Sequence, residues 1–181
     1  MNDDPLTGAL RSFRFSAFRL ETRQEYAVGE EAGRLAAFRE HKPRPDRSVA
    51  TSDYLRSVAR ATLEGRPWTR VHVLDHPLTE YLRYQMVGYR ESAAAGERIF
   101  IADRARDAEL DRLREDFWLF DEGQPTQHAL LLDYAPDGEY TGCRQVPEAG
   151  MGRLRAAKAA ALRHAVPLNV YLAEMENAQA V

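Results

Sequence analysis

Apolar positions along the chain fall into three patterns, and their order predicts the fold. The first is alternation. In FRFSAFRL (13–20), Phe13 and Phe15 share one side and Phe18 and Leu20 the other, which predicts a strand with a register change in its middle. The second is helical spacing. VGEEAGRLAAFREH (28–41) predicts a short helix with Ala32, Leu35, Ala36 and Phe38 inward, and with Glu30 and Glu31 in the first turn, where the helix dipole favours acids. After the breaker HKPRPDRS (41–48), SDYLRSVARATLEG (52–65) predicts a second helix with Tyr54, Leu55, Val58 and Ala61 inward, stopped by Gly65.

The third pattern is the short continuous run. RVHVLD (70–75), RIFIAD (98–103) and DFWLFD (116–121) are too short for helices and apolar at nearly every position, as strands buried on both faces are. Between the first two, Leu78, Tyr81, Leu82, Gln85, Met86 and Tyr89 form one helical stripe. Between the last two, DRARDAELDRLRE predicts a shorter polar helix. Strand–helix–strand–helix–strand predicts right-handed parallel crossovers. QHALLLDY (127–134) and EYTGCRQV (139–146) flank a Pro136-Asp137-Gly138 turn and predict an antiparallel hairpin at one sheet edge. GMGRLRAAKAAALRHAV (150–166) predicts a helix broken by Pro167, followed by a final turn, PLNVYLAEM. The expectation is one α/β domain over residues 13–174, between tails at 1–12 and 175–181. Its mixed sheet of about five or six strands has a parallel centre, a hairpin at one edge and helices on both faces.

Composition narrows the class. The 181 residues are 44% hydrophobic with a mean hydropathy of -0.53, enough for a sizeable core, and no apolar run is long enough to span a membrane. MNDDPLTGALRSF begins acidic without an apolar leader core, and the single cysteine, Cys143, excludes an internal disulfide; both fit a reducing cytoplasm. Net charge is -3 but uneven: residues 1–70 carry 13 Lys+Arg against 10 Asp+Glu, and residues 71–149 carry 8 against 16. That is not the basic excess of an autonomous nucleic-acid binder. HKPRPDRS is also too long for the turn of a DNA-reading helix-turn-helix.

Several constellations could carry chemistry. His72, Asp75 and His76 have a metal-like spacing, but Pro77 biases His76 away from helix, so the two histidines need not converge; Asp75 or His76 then enters a helix whose first residue is Pro77. The three apolar runs end in Asp75, Asp103 and Asp121. At the carboxyl edge of a parallel sheet these carboxylates could hold Mg²⁺, while each also has a capping or turn role open to it. Cys143 lies beside Arg144, yet nothing in the sequence places a histidine against it, and a free, partly buried cysteine is expected. Motifs for phosphate loops, nucleophile elbows, zinc peptidases and HxK phosphodiesterases are missing. Arg56, Arg60, Arg153, Arg155, Lys158 and Arg163 make basic helix faces that are either solvated or turned to an acidic partner.

FRLETRQEY, RVHVLDHPLTEYLRY, GERIFIADRA, DFWLFDEG and AVPLNVYLAE together resemble an actinobacterial family, domain-of-unknown-function family 6879, over about residues 13–174, with PLTEYLRY the most specific element. The resemblance implies a role beside small helix-turn-helix regulators and supplies no functional residues. The strand order is more weakly similar to non-catalytic phospholipase-D-like domains. Two functions are therefore expected. One is a non-enzymatic accessory or effector-binding protein, possible also as a homodimer, that meets a transcriptional regulator or a small anionic ligand around Thr79, Arg83 and Tyr84 without a metal or cofactor. The other is a Mg²⁺-dependent enzyme acting on a phosphorylated or nucleotide substrate through Asp75, Asp103 and Asp121. A small anion at the N-terminus of the Pro77 helix would suit the first as a sensing step.

Overall fold

The computed structural model describes residues 4–179. Seven strands form one mixed sheet: β1 (Ala17–Glu21), β2 (Trp68–Leu74), β3 (Arg98–Asp103), β4 (Phe117–Phe120), β5 (His128–Tyr134), β6 (Tyr140–Gln145) and β7 (Ala165–Pro167). Their spatial order is β6-β5-β4-β1-β2-β3-β7. β1, β2 and β3 run parallel at the centre, and every other pairing is antiparallel. The helices are α1 (Pro5–Ser12), α2 (Ala32–Arg39), α3 (Asp53–Leu63), α4 (Glu80–Ala94), α5 (Glu148–His164) and α6 (Leu168–Gln179). The mixed sheet, its parallel centre and its edge hairpin agree with the sequence pattern.

Five departures have physical reasons. DFWLFD does not continue the parallel series, because β4 pairs antiparallel with β1, Ala17 opposite Phe120 and Leu20 opposite Phe117. α4 carries the chain from the end of β2 back to the start of β3 over about 22 Å at 1.5 Å per residue. The next connection is only two 3₁₀ turns, Arg104–Arg106 and Ala108–Arg112, which leave the chain at the same edge of the sheet, so the following strand returns in the opposite direction. The expected N-terminal tail is α1 from Pro5 onward, whose Ala9 packs with Phe13, Trp68 and Phe120. The segment expected as a closing turn and tail is β7 followed by α6, with Leu168 and Tyr171 buried against Leu74, Ile99 and Ile101. Residues 1–3 and 180–181 of the expected tails lie outside the described residues.

The fourth departure is in α2, where the inward residue is Arg34, while Ala32 and Ala36 are exposed. Arg34 is drawn in by Glu91 on α4 and by the Pro45 carbonyl. Elsewhere the stripes hold. α3 buries Leu55, Val58 and Ala61 behind a Ser52 cap, and α4 buries Tyr81, Leu82, Met86 and Tyr89. α4 begins at Glu80 rather than Pro77: the Thr79 hydroxyl accepts the Leu82 N–H, so the cap lies three residues beyond the His76–Pro77 joint.

The two faces of the sheet differ. Phe18, Leu20, Val71, Val73, Ala102, Phe117, Leu119, Ala129 and Leu131 make an apolar core on one face under Met151, Leu154 and Ala161 of α5. On the other face two apolar clusters stand apart. One, around Trp68, Trp118 and Phe120, packs on α1 and α3; the other, around Leu74 and Ile101, packs on α4 and α6. The strip between them is charged.

Candidate functional site

Strand alternation builds that strip. Ala17, Arg19 and Glu21 of β1 point to the same face as Trp68, Arg70 and His72 of β2, because Arg19 is registered with Arg70 and Glu21 with His72. Trp118 of β4 faces Arg19 across the other side. Arg19, Glu21 and His72 are all buried, which for charged groups is sustainable only through pairing.

The pairing is nearly complete. Arg70 uses all three nitrogens: Nε donates to Glu97 Oε1 at 2.7 Å, Nη1 to Glu21 Oε1 at 2.6 Å and Nη2 to the Tyr54 hydroxyl at 2.6 Å. Burial pushes the Glu21 carboxyl up, but Arg70 and Arg19 together outweigh it and hold Glu21 well below the usual carboxylate range. Asp116, just before β4, accepts from the Thr22 N–H and hydroxyl, both at 2.8 Å, and from the Tyr26 hydroxyl at 2.5 Å. Arg19 Nη2 donates to Asp116 at 3.1 Å and to the Tyr134 hydroxyl at 2.8 Å. Its Nη1 has no partner, although the residue is only 4% exposed.

His72 closes the network. Its Nε2–H donates to the Arg23 carbonyl at 2.7 Å, and its Nδ1 lies 2.5 Å from the Tyr89 hydroxyl, which is also 2.8 Å from Glu21 Oε2. Burial pushes the imidazole below its ordinary value against the pull of Glu21, while the Tyr89 hydroxyl beside it donates to Glu21. Burial also raises the Tyr26, Tyr54 and Tyr89 hydroxyls.

Above this floor is a cavity of about 820 Å³. Arg19, Glu21 and Arg70 form its base, Tyr54, Tyr89, Tyr134 and Trp118 its walls, and Glu31, Arg34 and Arg47 its mouth. The turn of the β5–β6 hairpin holds one side. Gly138 adopts φ +90, and a Cβ there would come within 3.1 Å of the Tyr26 backbone, so the Ala27 N–H can reach the Gly138 carbonyl and fix the Tyr26 segment.

Of the residues singled out in the sequence only His72 belongs to this network, and there it meets Tyr89 and the Arg23 carbonyl rather than His76; the others are placed elsewhere. Asp75 and Asp103 share the carboxyl edge, but Asp75 accepts from Arg104 at 3.0 Å, and Asp103 caps Ala105 and lies 3.2 Å from His76. Asp121 is at the opposite edge, because β4 is antiparallel. There it accepts the N–H groups of Arg14, Phe15 and Ser16 and the Thr126 hydroxyl. The three carboxylates therefore do not converge. Among the described residues, the side chains close enough to share a cation are Asp107, Glu109 and His164, and these already pair with one another and with Arg163.

The ligand set expected on α4 separates too. Thr79 caps the helix and donates to the Gln24 carbonyl; exposed Arg83 donates to the Leu78 carbonyl; Tyr84, about 100° around the helix, is buried against Phe38 and Tyr81. At the helix N-terminus, where a small anion was expected, the Thr79 hydroxyl accepts the Leu82 N–H and Glu80 stands in the first turn, paired with Arg39. Most of the basic faces are neutralised by their own neighbours: Arg56 by Asp53, Arg60 by Glu64, Arg153 by Glu115 and Lys158 by Glu122. Cys143 is half-buried beside Asp4 and Tyr140.

The site itself escaped sequence reading. Its signal was present as charges at alternate positions of buried strands, Arg19 with Glu21 and Arg70 with His72. Fold and site together define a mixed-sheet α/β domain holding a tyrosine-walled cavity over a buried ionic floor. The chain belongs to the family described as Domain of unknown function (DUF6879), whose model matches residues 4–173. No curated protein and no solved structure matches the chain.

Proposed function

We propose that this domain is a non-enzymatic binding module that takes a small organic molecule into the cavity above Arg19 and signals its presence to a protein partner. Arg19 Nη1 carries this reading: a buried guanidinium nitrogen without a partner, at the base of a cavity of about 820 Å³. Buried donors are almost always satisfied, and an orphan costs about 1–3 kcal/mol, so a donor left open beside a ligand-sized space is best explained by a ligand that accepts from it. Catalysis is disfavoured by the same chemistry. Glu21 is locked by two guanidiniums, and burial makes the tyrosine hydroxyls poorer acids.

The partner we propose is a transcriptional regulator of helix-turn-helix type, met in the cytoplasm. No helix among the described residues is long and apolar enough to cross a membrane. Because most basic faces are internally neutralised, the outer edge of β6, which no further strand covers, is the more suitable docking element.

The test is thermal melting of the whole chain against a panel of small polar metabolites, alongside Gly33→Trp. Gly33 lines the cavity mouth, and a Cβ there meets nothing within 4 Å, so the bulky side chain should block entry without disturbing the fold. Compounds that raise the native melting temperature are expected to leave the variant unmoved. Equal shifts in both proteins, or none in either, would remove the cavity as the binding site.

A further inference from the structure

We propose that the occupant of the cavity is an organic anion, a carboxylate or phosphate group carried on a flat apolar body, whose oxygens are received by the guanidiniums of Arg19 and Arg34. This rests on the cavity being the ligand site and adds the chemical class of what fills it.

The first argument is the balance of open groups. Two unpartnered buried polar atoms belong to residues lining the cavity, Arg19 Nη1 at the base and Arg34 Nε at the mouth, and both are guanidinium donors. The carboxylates of the lining are already engaged. Arg70 and Arg19 hold Glu21, Tyr81 and Gln85 donate to Glu31, the Ser48 hydroxyl donates to Asp46, and Arg56 pairs with Asp53. What the lining lacks is an acceptor. An ionised oxygen is the stronger one, because a charge-assisted hydrogen bond is about twice as strong as a neutral one, and guanidinium geometry matches carboxylate and phosphate.

The second argument is charge. Arg19, Arg34, Arg47, Arg56 and Arg70 all line the cavity against those four carboxylates, so the lining has one positive group in excess. Burial pushes the Glu31 carboxyl up, which weakens the negative side of this balance further. Arg34 and Arg47 share one carboxylate, Glu91, which stands outside the lining, as do the Glu97 and Asp116 that engage Arg70 and Arg19. An anion seated on the open nitrogens meets guanidinium at contact distance and these carboxylates only across it, and Coulomb energy falls with distance. A neutral acceptor would satisfy the donors and leave the excess charge where it is.

The third argument is shape. Trp118, Tyr54, Tyr89 and Tyr134 present aromatic walls, and a bare inorganic ion would leave them uncovered. Arg19 lies 5.7 Å from the centre of the Trp118 ring, so a group held at Nη1 brings the body it is attached to close to that wall. The volume suits a small organic molecule rather than a lone ion.

The probes are two matched pairs, benzoate with benzamide and adenosine 5′-monophosphate with adenosine, titrated calorimetrically into the whole chain at fixed ionic strength. In at least one pair the anion is expected to bind about tenfold or more tightly than its neutral partner. The first pair reports a carboxylate and the second a phosphate. Arg34→Gln removes both the charge and the open Nε, so it should weaken the anion about tenfold and leave the neutral partner unmoved, a change in ratio that loss of packing alone would not produce. Arg47→Gln leaves the contacts of Arg34 to Glu91 and Pro45 in place and should narrow the same ratio if the first variant does not fold. Neutral partners that bind as tightly as the anions in both pairs would overturn the anionic class and leave the cavity as a binding site. If none of the four binds, the compounds that melt-shift the native chain and spare Gly33→Trp decide the class: anions support it, and uncharged or cationic compounds sink it. If no compound of any charge discriminates the two proteins, the binding reading falls with it.

Discussion

Arg70 and Asp121 show two different ways in which a buried charge becomes structural. Arg70 is bonded to Glu21, Glu97 and Tyr54 at once. Arg70→Met should cost about 3–5 kcal/mol in chemical denaturation, because it strands two buried carboxylates. Adding Glu21→Gln should recover part of that loss, which a denaturation series on the double variant will show. Asp121 instead collects the N–H groups of residues 14–16 in a backbone turned to φ 52. Asp121→Ala should destabilise by about 2–4 kcal/mol through orphaned donors, and divalent cations should leave the melting temperature of both proteins alone. A cation-dependent rise lost in the variant would revive the carboxylate metal site. His72 adds a pH dependence. It faces Glu21, Tyr89, Arg70, Asp116, the Tyr26 ring and the Arg23 carbonyl, and its folded value is lowered from the ordinary 6.5. The unfolded chain then takes up the proton first, so stability present above about pH 6.5 is lost as the pH falls below it. Melting curves between pH 7.5 and 5 should slope downward and flatten in His72→Gln. Glu21, held low, adds its own loss only in more acidic solution.

Among the elements, those formed by local contacts were legible and those formed by distant ones were not. α3 and the stripe of α4 followed from helical spacing, and the β5–β6 hairpin from Pro136-Asp137-Gly138, because each needs only its own residues and one apolar surface. The direction of β4 depends on where the chain stands after Asp103. The 3₁₀ turns that decide this look in sequence like a polar helix, since Leu110 and Leu113 are spaced for either. β7 and α6 were missed for a related reason: three residues, Ala165–Pro167, become a strand only because the edge of β3 is free to pair. Their contribution is measurable. Truncation after Pro167 removes buried Leu168 and Tyr171, worth about 1.5–3 kcal/mol each, and should lower the melting temperature by about 10 °C.

At the scale of the molecule, the sheet separates two tasks. α5 closes one face over an apolar core, and the other face is split so that a charged strip and a cavity lie between α1 with α3 and α4 with α6. The cover at the mouth, running from Glu31 through Arg34 to Arg47, is tied down by Glu91 and by contacts to Tyr81 and Gln85 rather than by a large apolar surface. Ligand binding should therefore slow hydrogen exchange in residues 28–52 and leave α5 unchanged; uniform protection of both would place the ligand elsewhere. Sequence by itself determined the α/β class, the parallel centre, the edge hairpin and most helix faces, because periodicity and turn chemistry act over a few residues. Only the tertiary structure decided that Asp121 leaves the other two aspartates and that Arg19, Glu21, Arg70, His72 and Asp116 meet. Those encounters bridge as many as 97 positions along the chain, and they depend on strand direction and register, which no local pattern encodes.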